Sequence, residues 1–369
     1  MPYRIEAVRD RRAMDDFLGL PFALYRDAPN WVPPLVSDVR RTLDRDRNPY
    51  FAQAVLELFV GYRDDTPVAR TCVVINPAHW AKFGQKAAFF GFFESRDDEA
   101  AAGRLFEAAR GFCRAQGAEL LEGPFNPNHY SELGLQTSEF GTRPHFFETD
   151  NPAYYLRLVA AAGFRVSRRV HTCIRRNVGE YVRNRYGEAK TARARDGFRI
   201  RPVRLPDLKA ELERIREVNN DAFADNWHFL PLSREEYTFA ANYLFFVTYP
   251  RLVAIVEHEG SPVGVLQFVL DINPLLQRMR GRAGLLNYAK FLAARGRIRD
   301  IVLYTVGVKK AYQDTPAYRL MLDYACAVAR HYRNMVTTWT SDDNRPAALA
   351  ARRMGLEPGR QFAIYEQAI

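Results

Sequence analysis

The chain has 369 residues, enough for two domains of ordinary size. It is 47% hydrophobic, 26% charged and 13% aromatic, which excludes a disordered or collagen-like chain and supplies, in 25 Phe and 19 Tyr, the filling of a large core. Lys and Arg number 53 against 43 Asp and Glu; the net charge of +10 admits nucleic acid, an anionic membrane surface or a phosphate-bearing small molecule as partner. Along the chain, alternating patterns at 55–62 and 67–75 predict paired strands across an Arg-Asp-Asp-Thr turn, and the aromatic run 87–94 predicts a third strand. The spacing predicts a helix over 97–116, with acids in its first turn and Gly117 as its stop. A strand follows at 119–124, then a helix over 151–163, opened by Asn151-Pro152 and ended by Gly163. The second half repeats this grammar: strand 198–203, helix 205–223, hairpin strands 252–258 and 261–270 around Glu259-Gly260, strand 301–308 and helix 318–333. Strand 336–340, helix 345–354 closed by Gly355, and strand 362–366 complete it.

The same order of elements twice predicts an α/β (α+β) fold of two similar halves. Residues 1–170 form the first, 171–197 a basic connection, and 198–369 the second, with a basic amphipathic insertion at 272–300. The charge is concentrated in two places. Residues 165–201 hold 12 Lys/Arg against three acids, and residues 272–299 hold seven basic residues and no acid. The rest of the chain is therefore mildly acidic. Each basic segment reads either as a solvated face or as an anion-binding surface.

Several chemistries lack their signatures. The chain has no GxxxxGK[ST], no GxGxxG, no GxSxG and no HExxH, which argues against P-loop, Rossmann, serine-hydrolase and zincin sites. Its seven histidines show no metal-ligand spacing, so no metal is expected. Four cysteines without a CxxC pair read as free thiols of a reducing compartment. The first residues carry no apolar secretory core, and the apolar run 243–256 is broken by Pro250 and Arg251. A cytoplasmic protein is expected, either free or peripheral on the inner membrane.

Residues 301–308 (IVLYTVGV), the loop 309–318 (KKAYQDTPAY) and the helix after them resemble the core of the GNAT acyltransferase superfamily. The stretches 30–35 (NWVPPL), 48–51 (NPYF), 91–94 (GFFE), 123–135 (GPFNPNHYSELGL), 151–155 (NPAYY), 343–344 (DN) and 364–366 (IYE) extend the likeness over nearly the whole chain, to a bacterial family of two-GNAT-unit proteins. Within it the chain also resembles the N-acyltransferases that serve as bacterial ceramide synthases. The resemblance implies two tandem GNAT-like units with mixed, mostly antiparallel central sheets. It also implies acyl-CoA as co-substrate, held in a V-shaped opening between central strands, and an amine acceptor. It places Val306 and Val308 on the splayed strand, Lys309, Lys310 and Gln313 in the phosphate loop, and Asn344 in a polar turn that is equally a helix cap. The sequence departs from the family there: Pro316 and Tyr318 stand at the two glycine positions of the loop, and proline offers no N–H. The matching first-half loop, Ser95 to Asp98, is acidic. Either the thioester is bound in an altered way, or a carrier protein delivers it, or a half has lost the chemistry.

Amide formation from a thioester needs a base for the amine and an acid for the thiolate. The resemblance implies Tyr365 as that acid, although an ordinary strand tyrosine fits the position equally. Glu94 ends the aromatic strand, where its neighbours Phe92 and Phe93 favour a raised pKa, or it caps the next helix. The densest polar stretch is 123–135, with Asn126, Asn128, His129, Tyr130 and Glu132 hemmed by Pro124 and Pro127. His129 is the natural base near neutral pH. Residues 278–299 set Leu285, Leu286, Tyr288, Phe291 and Leu292 between arginines, as an interfacial helix, a packed insertion or a lid would. The function expected is acyl-CoA-dependent N-acylation of a primary amine, with long-chain transfer to a sphingoid or other lipid amine as the specific form. The alternative is a GNAT-fold protein that binds its ligand without turnover. No nucleic-acid partner is expected, because no reading module accompanies the basic residues.

Overall fold

A computed structural model describes residues 3–128, 130–187, 194–244, 247–344, 348, 350–352 and 354–369. The first half runs β1 (Arg4–Ala7), α1 (Arg11–Leu24), α2 (Val36–Thr42), β2 (Val55–Arg63), β3 (Thr66–Ile75), α3 (Pro77–Phe83) and β4 (Ala87–Ser95). It continues with α4 (Glu99–Ala115), β5 (Leu120–Gly123), β6 (Leu135–Gln136), α5 (Tyr154–Ala161) and β7 (Arg165–Arg175). After α6 (Val178–Tyr186) come β8 (Phe198–Pro202), α7 (Leu208–Ala222), α8 (Arg234–Leu244), β9 (Val253–His258) and β10 (Ser261–Leu270). The chain closes with α9 (Asn273–Met279), α10 (Leu285–Arg295), β11 (Asp300–Val308), α11 (Ala317–Ala329), β12 (Asn334–Thr337), β13 (Thr340–Ser341) and β14 (Glu357–Ala368).

Local chemistry explains most of these limits. Asp64 and Asp65 both take positive φ, 49° and 58°, which a two-residue turn between right-twisted strands requires. The Asp98 side chain accepts the Ala101 amide at 3.1 Å and starts α4, so the cap expected of Glu94 belongs to Asp98. Leu105, Phe106, Ala109 and Cys113 line the buried face of that helix, and Gly117 (φ 81°) ends it. The helix predicted from Asn151 starts later. Asn151 is spent elsewhere, its Oδ1 accepting the Gln136 amide at 2.7 Å, and α5 begins at Tyr154 without a side-chain cap. Of the helix predicted at 345–354, residues 345–347, 349 and 353 lie outside the described residues, while 348 and 350–352 are helical.

Among the described residues fourteen strands join one sheet, in the order 1-2-3-4-5-14-7-12-11-10-9-8, with β6 beside β14 and β13 beside β7. Among the described residues only β4–β5 and β11–β12 pair in parallel, so the sheet is mixed and mostly antiparallel. Each half contributes five strands to its own side, and the last strand of each is exchanged at the seam. Thus β14 lies between β5 and β7, and β7 between β14 and β12. Residues 170 and 171, where the sequence drew a boundary, are consecutive residues of β7. Of the buried residues of β14, Ala363 joins the first core, while Phe362 and Ile364 pack in a smaller cluster with Phe89, Phe125 and Val170. The first core centres on Phe90, Phe106, Leu121 and Tyr155, and the second on Phe268, Ile301 and Leu320.

Several arginines of the first basic segment form ion pairs, three of them at this seam. Arg165 pairs with Glu366 at 2.8 Å, Arg168 with Asp343 at 2.7 Å and Arg175 with Glu357 at 3.5 Å. Arg199 and Arg201 both reach the buried Glu257, at 2.8 and 2.7 Å. These five cations of the segment find carboxylate partners within the fold.

Candidate active site

The two parallel strand pairs diverge at equivalent points. In the first half β4 and β5 stay in register only over Ala87–Phe89 against Leu120–Glu122. In the second, β11 and β12 do so over Asp300–Leu303 against Asn334–Thr337. Each diverging strand carries one extra residue against its antiparallel neighbour: Cys72 faces Gly91 and Arg70 faces Glu94, while Phe268 faces Leu303 and Gln267 faces Thr305. Such bulges bend a strand and re-aim its side chains. Phe92, in the first bulge, takes a positive φ of 48°, a strained conformation for an aromatic residue.

The first gap is filled by the protein itself. The Phe125 amide donates to Phe90 O at 2.8 Å, and the Phe92 amide donates to Asn126 Oδ1 at 2.7 Å. The segment then returns as a tight loop, with Phe125 bridged to Leu133 and the Asn126 amide on Glu132 O at 3.1 Å. Gly91 is required here: a Cβ on it would fall 1.7 Å from Phe125 O, a backbone atom that cannot yield. Gly91→Ala is expected to cost about 3 kcal/mol and to abolish most activity, because it displaces the loop holding Asn126 and Glu132. An unchanged urea midpoint would contradict this packing.

The second gap is open. Beyond Leu303, Tyr304 O accepts the Thr338 hydroxyl at 3.1 Å, and Tyr304 and Thr305 then line a cleft of about 430 Å3 between the two halves. Across it stand Phe92, Glu94, Asn126, Tyr130 and Glu132 of the first half. Residues 31–35 and α8 complete its walls. Glu236 there exchanges two bonds with Ser233 at the start of α8, 2.7 and 3.1 Å, a capping box.

Three carboxyl groups in this cleft differ in surroundings. Glu94 Oε2 accepts hydroxyls from Tyr25 at 2.8 Å and Tyr155 at 2.7 Å, with Arg70 3.6 Å from its other oxygen. Burial raises its pKa against the pull of Arg70 and the two tyrosines. Arg70 is itself buried, donating to Phe17 O at 2.6 Å. Asp150 is pushed up to about 6 by burial, while Arg360 draws it down. Glu132 is pushed up to about 7 by burial, opposed only by its bond with Asn126. It is the carboxyl poised to exchange a proton near neutral pH.

The cleft thus brings together Glu94, Asn126, Asn128, Tyr130 and Glu132 among the side chains singled out from sequence. His129 lies outside the described residues. Tyr365 does not line the cleft; it sits opposite Gly123 on β14, within the first core, and burial raises its pKa. Val306, Val308, Lys309, Lys310, Gln313 and Asn344 are not among the lining residues either. Lys309 pairs with Glu217, and Lys310 with Asp225 at 2.5 Å, so both ammonium groups already have carboxylate partners. Asn344 accepts the Ala348 amide through its backbone oxygen at 3.0 Å, continuing the turn that begins at Ser341. Sequence reasoning missed Arg70, Glu148, Asp150 and Tyr304. An arginine inside the apolar strand 67–75 was a usable signal, since a cation there needs a buried partner.

Beside the cleft a polar chain locks the halves together. Glu122 Oε1 accepts the Ser167 hydroxyl at 2.8 Å and its Oε2 faces His228 Nε2 at 2.7 Å; His228 Nδ1 meets His79 Nε2 at 2.7 Å. Burial holds His79 down at about 3, hence neutral. Among the described residues no group of three or more His, Cys, Asp and Glu is arranged to hold a metal.

Two bulged, diverging parallel strand pairs facing one cleft define a tandem GNAT fold. A solved tandem GNAT protein from the clavulanic acid biosynthesis pathway superposes with a TM-score of 0.58 at 13% identity, covering 100% of this chain and 98% of that one. A GCN5-related N-acetyltransferase from Sphaerobacter thermophilus gives 0.53 at 12% identity, covering 99% and 95%. In sequence the chain is similar to the bacterial ceramide synthase of Caulobacter vibrioides, 26% identical over 363 residues, 96% of this chain and 94% of that protein. It is also similar to protein YghO of Escherichia coli, 24% identical over 366 residues, 96% and 92% of the two chains. No protein-family model matches it.

Proposed function

We propose that the protein is an N-acyltransferase that moves a long acyl chain from acyl-CoA to a primary amine, and that the amine is a sphingoid base or similar lipid amine. The observation that carries this reading is the cleft itself, where the open end of β11 faces a carboxyl group titrating near neutrality. Glu94, Glu132, Glu148, Asp150 and Glu236 line the same space and favour a cationic acceptor. Phe147, Phe229, Tyr237 and Tyr304 offer apolar walls to alkyl chains. The name of the Caulobacter relative supports the lipid acceptor.

In this reaction the acceptor ammonium gives its extra proton to the Glu132 carboxylate. The neutral nitrogen attacks the thioester carbonyl, the C–N bond forms and the C–S bond breaks. A second proton from nitrogen passes to the departing thiolate, leaving an amide and a free thiol, and Glu132 returns its proton to water. The open gap of the second half suits the thioester arm, while the first half supplies the base. The loop after β11 does not suit a pyrophosphate: Pro316 lacks an N–H, and Lys309 and Lys310 are paired.

The direct test is incubation with palmitoyl-CoA and sphinganine, followed by mass spectrometry for the amide. No amide across a panel of primary amines and chain lengths overturns the reading. Palmitoyl-CoA is expected to raise the melting temperature more than an equal concentration of CoA, because the acyl chain fills the cleft and the phosphates find few donors. Stabilisation without product on any amine would identify a binding protein instead.

A further inference from the structure

The two basic segments are partnered differently: the first puts Arg165, Arg168, Arg175, Arg199 and Arg201 into ion pairs. In the second, Arg278, Arg280, Arg282, Lys290, Arg297 and Arg299 are exposed and make no ion pair among the described residues. No acid interrupts residues 272–299. Within this stretch α10 is anchored by one residue, Phe291, which is buried in the second core, with Ala294 and Ile298 packed half-buried beside it. The opposite side is apolar and bare: Leu285 is 85% exposed, Leu286 77% and Leu292 43%. Leu285 and Leu292 lie seven residues apart, on one helix face. Three exposed leucines among unpaired cations are unfavourable in water and are not explained by packing within the chain.

We propose that α10 and the turn before it dock on the surface of an anionic bilayer, with the leucines in the acyl–headgroup boundary and the arginines and lysine on the headgroups. A short helix with this division of faces lies in the plane of the interface. Charge selects this occupant over an apolar protein surface: a run of cations without one acid matches a uniformly anionic sheet. Among the described residues no helix is long and apolar enough to cross a membrane.

The docking helix is tied to the rim of the cleft. Gln277 on α9 donates to Pro29 O at 2.8 Å and Trp31 O at 3.2 Å, and the Val36 amide donates to Gly281 O at 3.1 Å. Residues 31–35, Asn273 and Leu276 line the cleft, so docking brings its rim to the lipid. In that purpose, though not in the docking itself, the proposal rests on the lipid-amine reading above.

The test is sedimentation of the full chain with phosphatidylcholine vesicles, with and without phosphatidylglycerol. Binding is expected only with the anionic lipid, to weaken with salt, and to fall by about tenfold or more in Leu285→Ser/Leu286→Ser and in Arg280→Glu/Arg282→Glu/Lys290→Glu. Amide formation from a short-chain thioester and a soluble amine is expected to be unchanged in both variants, which separates failed docking from a failed assignment of the reaction. Equal binding to both vesicles, or variants that bind as the parent does, overturns the proposal. A Leu285- and Leu286-dependent dimer in sedimentation velocity, with no vesicle binding, overturns it in favour of a second copy.

Discussion

Glu132→Gln is expected to lower kcat by about 100- to 10,000-fold, the span of general-base catalysis by a positioned side chain. The substitution keeps the size and the bond to Asn126 but removes the group that takes the amine proton. In the parent, kcat/KM is expected to rise with pH through about 7 as Glu132 ionises. The variant loses that limb and keeps only the rise from the amine's own ionisation at higher pH. Stability moves the other way. The folded pKa stands above the ordinary 4.5, so between that value and about 7 the folded chain binds more protons than the unfolded one. The contribution is therefore present in full below about 4.5 and lost as pH rises towards 7, and Glu132→Gln flattens that slope. Asp150, raised to about 6, adds a slope of the same sign. A Gln variant with the parent's kcat and pH profile would exclude Glu132 as the base.

Arg360→Met is expected to cost about 3–5 kcal/mol, the range for removing one partner from a buried ionic cluster. Arg360 is 2% exposed. It donates to Thr142 O and Oγ1, both at 2.8 Å, and approaches Glu148 at 3.6 Å and Asp150 at 3.7 Å. Glu148 also accepts the Thr172 hydroxyl at 2.7 Å and the His145 amide at 2.8 Å, so this one cluster ties the loop before α5 to β7 and β14. Methionine fills the volume and leaves two carboxylates without their cation. Urea unfolding reads the loss. The titration of Asp150 is expected to move further up, since Arg360 is the group that draws it down. Because Glu148 and Asp150 line the cleft, activity is expected to fall with stability. A midpoint equal to the parent's would remove the cluster from the account of the fold.

What was legible in the sequence is what neighbouring residues decide. The 97–116 helix, the Asp64-Asp65 turn and the strand 261–270 follow from period, caps and turn chemistry, and each is met by the structure within a few residues. The polar loop 123–135 was legible as a stretch outside the core, because strand-end prolines and clustered amides have no use there, and its residues line the cleft. Glu94 was legible as a cleft residue, but its partners were not: Tyr25 and Tyr155 lie 69 and 61 positions away. No local pattern links groups so far apart, since a helix or strand correlates residues only over its own few turns.

The sequence by itself determined the repeated order of strands and helices and the place of the polar loop, because backbone preference and hydrophobic period act over short range; the mixed sheet was what the family resemblance implied. Only the tertiary structure decided that β7 and β14 change sides at the seam, that the first gap is closed by Phe125 while the second stays open, and that arginines of the first basic segment reach carboxylates while the exposed cations around α10 do not. Those outcomes depend on which distant acids and backbone groups arrive beside each residue. The net charge of +10 is the same number for either arrangement of pairs.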